Sequence, residues 1–313
     1  MTKMLSDRGY RVIVLDDLST GHKDAARFGE LVVGDIADSM LLDNIFRENK
    51  ITSVMHFAAS SIVGESVLNP AKYYQNNVVK TLSLLDSMVR NNVNNLIFSS
   101  TAAIFGEPKY IPIDEEHPKK PINPYGASKL MIERILEDYY HSYQLNSISL
   151  RYFNACGADI NSELGEMHNP ETHLIPLILQ VASGKESLVN IFGSDYETND
   201  GTCIRDYIHI IDICEAHLLS LEFLLNNRIH GANAFNLGNG QGFSVRQVVD
   251  TAKNIVKHDG KYIKEQISAR REGDPAILIA DGSKAEKVLN WIPKYPDVKD
   301  MILHAWKWEQ KRF

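Results

Sequence analysis

The sequence predicts a doubly wound α/β fold, a parallel sheet with helices on both faces, and three observations predict it. Short runs such as Arg11-Val-Ile-Val-Leu15 and Asn95-Leu-Ile-Phe-Ser99 are apolar without alternation, as strands buried on both faces are. Stretches with apolar residues at helical spacing separate these runs, so strand and helix alternate through the first half. After about residue 155 the pattern loosens, which predicts a second, smaller α+β lobe.

In order, strands are expected at Arg11–Leu15, Leu31–Val33, Ser53–Phe57, Asn95–Ser99 and Ser147–Arg151, with helices near 38–49, 71–91 and 124–143. Gly, Asn, Asp and Pro are then frequent at 157–173 and 193–206, and helical patterns return at 174–183, 212–225, 244–257 and 297–311. The expected division is 1–155 and 156–313, with segments from about 205–240 returning to the first domain.

Composition narrows the function. The 313 residues are 44% hydrophobic and 23% charged, enough for two cores. Lys plus Arg is 33 and Asp plus Glu is 40, a formal charge of −7, and no basic run stands out. Nucleic acid and anionic membranes are therefore not expected as partners. The start, Met1 to Gly9, has no apolar stretch of signal-peptide length, and no later segment is long enough to span a bilayer, which points to the cytoplasm. Cys156, Cys203 and Cys214 form no C-x-x-C pair and are expected as reduced structural thiols.

A dinucleotide-binding domain ends its second strand on an acid that holds the adenine ribose, with a Gly-rich turn about 20 residues earlier. Asp16, directly after Val12-Ile-Val-Leu15, fits that acid, and counting back about 20 residues passes Met1. Gly9 fits a helix-to-strand turn. The chain is thus expected to open inside the first helix, without the first strand and its loop, and a truncated chain with impaired cofactor binding and little activity is an alternative to an active enzyme. Gly238-Asn-Gly240-Gln-Gly242 does not substitute: it is G-x-G-x-G and reads as a tight turn leading to Ser244 as a helix N-cap.

The most informative segment is Asn123-Pro-Tyr125-Gly-Ala-Ser-Lys129. Asn as N-cap and Pro at the first helical position start a helix. Tyr125 and Lys129, four apart, then project from one face near its N-terminus. A free tyrosine has a pKa of about 10, and a nearby ammonium and the positive helix end both favour the phenolate. The spacing gives a route to a tyrosine general base. Phe98-Ser-Ser-Thr101 precedes it, a strand end bearing hydroxyls at the edge where α/β sheets place their ligands.

Asp16-Asp-Leu-Ser-Thr-Gly21, Gly34-Asp-Ile36, His56-Phe-Ala-Ala59, Val63-Gly-Glu-Ser66, Asn76-Asn-Val78, Ser99-Ser-Thr101, Tyr125-Gly-Ala-Ser-Lys129 and Arg151-Tyr-Phe-Asn154 together resemble consecutive blocks of the UDP-glucose (UDP-galactose) 4-epimerases, in the extended short-chain dehydrogenase/reductase family. The resemblance continues through Phe192-Gly-Ser-Asp-Tyr196, Asp200 to His209, Phe235-Asn-Leu-Gly238 and Arg270-Arg-Glu-Gly-Asp274, so it covers essentially the whole chain. It implies a Rossmann-like NAD-binding domain, a UDP-sugar lobe and a homodimer. It implies Tyr125 as base on the sugar 4-hydroxyl, Lys129 as its electrostatic partner and ligand of the nicotinamide ribose, and Thr101 as the hydroxyl positioning the same sugar oxygen. Asp16 would hold the adenine ribose, Asp35 and Ile36 would flank the adenine, and Phe57, Ala58, Ala59, Asn76 and Phe153 would line the cofactor. Asn154, His173, Leu174, Asn190, Phe192, Arg205, Arg271 and Asp274 would hold the UDP portion. Arginine forks suit pyrophosphate oxygens.

Related 4,6-dehydratases and decarboxylases need an acid next to the catalytic Thr or Ser, whereas Ala102 and Ala103 follow Thr101. A UDP-N-acetylglucosamine 4-epimerase is the nearer alternative, since Leu278, at the position matching the sugar-pocket selectivity residue, is neither the large nor the small type. Ser61 stands where some members carry a lysine. The acidic loop Asp195–Gly201 has its glycine one place too late for a calcium loop and reads as a turn. The histidines are expected to be scattered, with no metal-like pair and no metal, His56 being a satisfied core residue. No G-x-S-x-G marks a hydrolase.

Overall fold

The structure, a computed structural model, describes residues 1–271 and 273–312, so Glu272 of the Arg270–Asp274 block lies outside the described residues. In chain order the elements are α1 (Thr2–Asp7), β1 (Ile13–Asp16), β2 (Glu30–Val33), α2 (Ser39–Asn49), β3 (Val54–His56), α3 (Val63–Leu68), α4 (Pro70–Tyr73), a π-helical turn (Tyr74–Val79) and α5 (Lys80–Arg90). Then come β4 (Asn95–Thr101), α6 (Pro124–Tyr143), β5 (Asn146–Tyr152), β6 (Asn154–Cys156), α7 (Leu174–Ser183), β7 (Val189–Phe192), β8 (Ile204–His209) and α8 (Ile210–Leu225). The chain ends with β9 (Ala232–Leu237), β10 (Gly242–Ser244), α9 (Val245–Lys257), β11 (Glu265–Ser268), β12 (Ile277–Leu278), α10 (Ser283–Leu289) and α11 (Val298–Lys311). Among the described residues, no helix is long and apolar enough to cross a membrane.

Two compact units result: Met1–Gly106, Pro118–Arg151 and Cys214–Phe235 form the first; Glu107–His117, Tyr152–Ile213 and Asn236–Phe313 form the second. Unit 1 carries a parallel pair, β1–β2, and a four-stranded sheet ordered β3–β4–β5–β9, in which β3 and β4 are parallel. Among the described residues β1 and β3 each pair on one side only. Their residues are mostly half-buried, whereas β4 and β5, flanked on both sides, are buried nearly throughout. Leu42 and Phe46 of α2, Leu84, Leu85 and Met88 of α5, and Ile132 and Leu136 of α6 close a core over Leu96 and Phe98 of β4.

In unit 2, β8 pairs with β10, β12 and β6, and β7 pairs in parallel with β11. The apolar faces of α7, α9 and α11 pack on Ile191 and Tyr207. The local signals hold here too. Ser244 caps α9 through a capping box with Gln247, and Asp200 in the Asp195–Gly201 turn accepts the Thr202 N–H at 2.9 Å. All three cysteines are free and buried.

Candidate active site

The candidate site of unit 1 begins with a conflict in β4: its apolar run ends in three buried hydroxyl residues, Ser99, Ser100 and Thr101. Buried polar groups need partners, and α6 supplies them. Ser100 Oγ donates to Glu133 Oε1 at 2.6 Å, and Glu133 takes a two-point contact from Arg151, with Nε at 2.9 Å and NH2 at 2.6 Å. Lys129 Nζ donates to the Ser99 carbonyl at 2.7 Å. The start of α6 is fixed by Asn123 Oδ1, which accepts the Gly126 N–H at 2.8 Å, with Pro124 in the first turn. Gly126 has to be glycine: a Cβ there would lie 2.4 Å from the Ala103 carbonyl oxygen. This close approach sets Tyr125 beside Thr101, whose hydroxyl favours the phenolate.

The electrostatics correct one expectation. Burial pushes the Tyr125 phenol up, and only the Thr101 hydrogen bond opposes it. Burial also pulls Lys129 down to about 7 against the opposing pull of Glu133. Lys129 does not lower the tyrosine here, because desolvation outweighs charge proximity and its ammonium is turned to the Ser99 carbonyl.

The predicted cofactor residues of unit 1 lie at strand ends. Asp16 Oδ1 accepts the Leu18 N–H at 2.7 Å, and a Cβ on Gly21 would stand 2.9 Å from the same oxygen, so the loop after β1 closes around the carboxylate. Asp35 Oδ1 accepts the Ala37 N–H at 2.9 Å, its Oδ2 pairs with Lys80 Nζ at 2.6 Å, and Ile36 between them is half-buried. After β3, Phe57 and Ala58 are exposed, Ala59 is half-buried, and the Phe57 ring lies 4.8 Å from that of His217. Asn76 Nδ2 reaches Ser60 Oγ at 3.3 Å. A strand-end acid whose loop leaves a glycine-sized gap, with apolar surface at neighbouring strand ends, fits the adenosine part of a dinucleotide. His56 is a satisfied core residue, as expected: Nε2 meets Thr81 Oγ1 at 2.8 Å, and burial drives its pKa to about 3.

Phe153 and all the predicted UDP residues belong to unit 2. Asn154 on β6 stands opposite Tyr207 of β8. Arg205 on β8 is buried, donating to the Ile204 carbonyl at 2.8 Å and to Asp274 Oδ1 at 2.6 Å, and Leu278 is its register partner on β12. Asn190 and Phe192 lie on β7, where Asn190 Oδ1 accepts Ser268 Oγ at 3.0 Å and the Arg271 guanidinium lies 4.1 Å from the Phe192 ring centroid. His173 caps α7 and Leu174 opens it. The histidines are not scattered as expected: the loop before α7 folds back and brings His168 and His173 together with Glu166 and Glu171.

Sequence reasoning missed two structural partners of the catalytic group. Glu133 joins Ser100 to Arg151. Asn77, in the π-helical turn, donates to Ser128 Oγ on α6 at 3.0 Å and accepts the Ser60 N–H at 2.8 Å, tying the loop after β3 to the catalytic helix. Its place in the Asn76-Asn-Val78 block was the signal available, and π-bulges often mark functional sites.

Comparison with known proteins follows this arrangement. A family model described as GDP-mannose 4,6 dehydratase matches residues 1–302. A UDP-glucose 4-epimerase of Halalkalibacterium halodurans is 49% identical over 307 residues, 98% of this chain and 90% of the relative. The crystal structure of a UDP-glucose 4-epimerase from Brucella ovis in complex with NAD matches with a TM-score of 0.94 at 46% identity, covering 98% of this chain and 93% of that one. A Bifidobacterium longum UDP-glucose 4-epimerase in complex with NAD+ and UDP matches with a TM-score of 0.91 at 37% identity, over 99% of this chain and 94% of that one. The chain belongs to the GDP-mannose 4,6 dehydratase family and, within it, to the UDP-glucose 4-epimerases.

Proposed function

We propose that the chain interconverts UDP-glucose and UDP-galactose at C4 with NAD as cofactor. The observation that carries this reading is the end of β4: the Thr101 hydroxyl lies close enough to Tyr125 to favour its phenolate, and alanines occupy the next two positions. Elimination to a 4-keto-6-deoxy sugar needs an acid beside that hydroxyl, and Ala102 has no acid to offer. A base on the 4-hydroxyl without an eliminating acid supports oxidation at C4 followed by its reversal.

In this reading Tyr125 takes the proton of the 4-hydroxyl, and Thr101 holds the same sugar oxygen in line. Bound NAD supplies acceptor and donor of hydride at C4, so no net oxidation occurs. Tyr125, raised by its own burial, becomes a better base when positive charge stands beside it. Lys129 supplies that charge once its ammonium is shared with a ribose hydroxyl as well as with the Ser99 carbonyl. Asp16 takes the adenine ribose, Asp35 and Ile36 the adenine edge, and Phe57, Ala58, Ala59, Asn76 and Phe153 the remaining cofactor surface. The UDP portion falls to Asn154, His173, Leu174, Asn190, Phe192, Arg205, Arg271 and Asp274. Arg271, stacked on Phe192, presents its N–H edge to a diphosphate, and Asp274 orients Arg205 through their ion pair. The 4-keto sugar turns over while these contacts keep the nucleotide anchored, and Tyr125 returns the proton to the other epimer. A cytoplasmic homodimer completes the reading, supported by three reduced thiols and by the family resemblance.

The test is conversion of UDP-galactose to UDP-glucose by the purified chain, with and without added NAD, beside UDP-N-acetylglucosamine as a second substrate. Conversion that disappears in Tyr125→Phe supports the reading. A 4-keto-6-deoxy product, or no conversion with NAD saturating, overturns it. Preferential turnover of the N-acetylated sugar moves the substrate, with Leu278 beside Arg205 as the selecting side chain.

A further inference from the structure

Four metal-ligating side chains outside the catalytic group meet in unit 2. Glu166-Met-His168-Asn-Pro-Glu171-Thr-His173 folds so that one ligand atom of each of the four residues lies within 4.8 Å of every other. His168 Nδ1 is 2.9 Å from Glu166 Oε1 and 3.6 Å from Glu171 Oε1. His173 Nδ1 contacts Glu166 Oε1 and lies 4.0 Å from Glu171 Oε1. The two rings meet edge to face, with centroids 5.3 Å apart.

The cluster is held in place from outside. Glu171 Oε1 accepts the Thr172 and His173 N–H groups at 2.8 and 2.9 Å, which orients its carboxylate. Trp308 Nε1 donates to the Glu166 carbonyl at 3.1 Å and ties the loop to α11. The carboxylates are the deep members, with side-chain exposures of 5% for Glu171 and 19% for Glu166, and the imidazoles at 47% and 54% line the open side.

Two imidazoles and two carboxylates are the donor set of a borderline divalent cation. Two carboxylates, two neutral imidazoles and one such cation also sum to zero charge, which matters where the anions are the buried members. A tetrahedral zinc with bonds of about 2.0–2.2 Å spaces its ligand atoms by about 3.3–3.6 Å. The contacts of both histidines to Glu171, at 3.6 and 4.0 Å, are near that spacing, and those to Glu166 need only open when metal bonds replace hydrogen bonds.

The geometry points to Glu166, His168, Glu171 and His173 as a site for one divalent transition-metal cation of the zinc type, at the start of α7. Coordination through Nδ1 fixes the proton of each imidazole on Nε2. At His173 that N–H becomes an oriented donor for the UDP portion, a consequence that rests on the epimerase reading, whereas the site itself does not.

Metal occupancy tests it directly. The purified full chain, freed of metal by a chelator that is then removed, is titrated with Zn2+ and with Co2+. One ion per chain by equilibrium dialysis, and a visible d–d absorption of four-coordinate cobalt that Zn2+ displaces, are expected. His168→Ala and, separately, Glu171→Gln weaken Zn2+ binding by at least about tenfold, with the far-ultraviolet circular dichroism unchanged. Absence of saturable single-ion binding in the wild type overturns the site, as do variants that bind Zn2+ like the wild type. Neither readout involves turnover, so this site and the epimerase reading fail independently.

Discussion

The polar groups at the end of β4 and those around Arg271 both concentrate charge, and they are built in opposite ways. In unit 1, Ser100, Glu133 and Arg151 form a buried network, and burial holds Lys129 beside it below its ordinary value. In unit 2, Arg271 lies across an aromatic face, and the neighbouring Arg270 pairs with exposed Asp195 at 2.7 Å. The first arrangement fixes its polar groups at a cost in desolvation; the second leaves its charges nearer to solvent. Under the proposed function, substitutions in the two groups should have different signatures.

The largest effect is expected at Tyr125. Tyr125→Phe removes the base and lowers kcat about 10²–10⁴-fold while denaturation curves stay put; an unchanged rate refutes the assignment. Next comes the buried network. Glu133→Gln leaves the Arg151 guanidinium without its carboxylate, at a cost of about 3–5 kcal/mol in urea unfolding. A loss below about 1 kcal/mol, as for an exposed pair, would break the contrast between the units.

Lys129→Met separates stability from function. It is expected to stabilise the fold, because burial holds the Lys129 ammonium well below its ordinary range and methionine removes that desolvation cost, while turnover falls. The sign is checked by pH: the folded Lys129 value, about 7, lies below its unfolded value of 10.5, so the unfolded chain binds more protons between them. Wild-type stability attributable to this group therefore rises from pH 7 to pH 10, and that slope is missing in the variant. The smallest stability effect is expected at Arg271→Ala, within about 0.5 kcal/mol, with KM for UDP-galactose rising about tenfold, the equivalent of about 1.4 kcal/mol. A fall in kcat at unchanged KM would move Arg271 from recognition to chemistry.

What was legible in the sequence was what local chemistry decides. Asn123 and Pro124 announced the start of α6, and Ser244 announced that of α9, because caps and proline act within one turn. The strands of the first half and its helices other than α3 followed from apolar runs and helical spacing. β6, β10 and β12 carried no such signal. Each is two or three residues long and exists because β8 pairs with it from far along the chain. The turn of the Lys129 ammonium to the Ser99 carbonyl depended on burial, which a four-residue spacing does not report. The meeting of His168 and His173 was hidden for a similar reason. A loop rich in Gly, Asn and Pro has no period, so their approach depends on the anchor from Trp308, 142 residues from Glu166.

The central claim is that the same sugar carbon is oxidised and restored in one binding event, with Tyr125 moving the proton and NAD as the hydride acceptor and donor. UDP-galactose carrying deuterium at C4 tests it most directly, with the product examined by mass spectrometry and NMR. The account predicts UDP-glucose that keeps its deuterium at C4. Loss of the label to water would contradict it, because the abstracted atom would then have left C4 as an exchangeable proton.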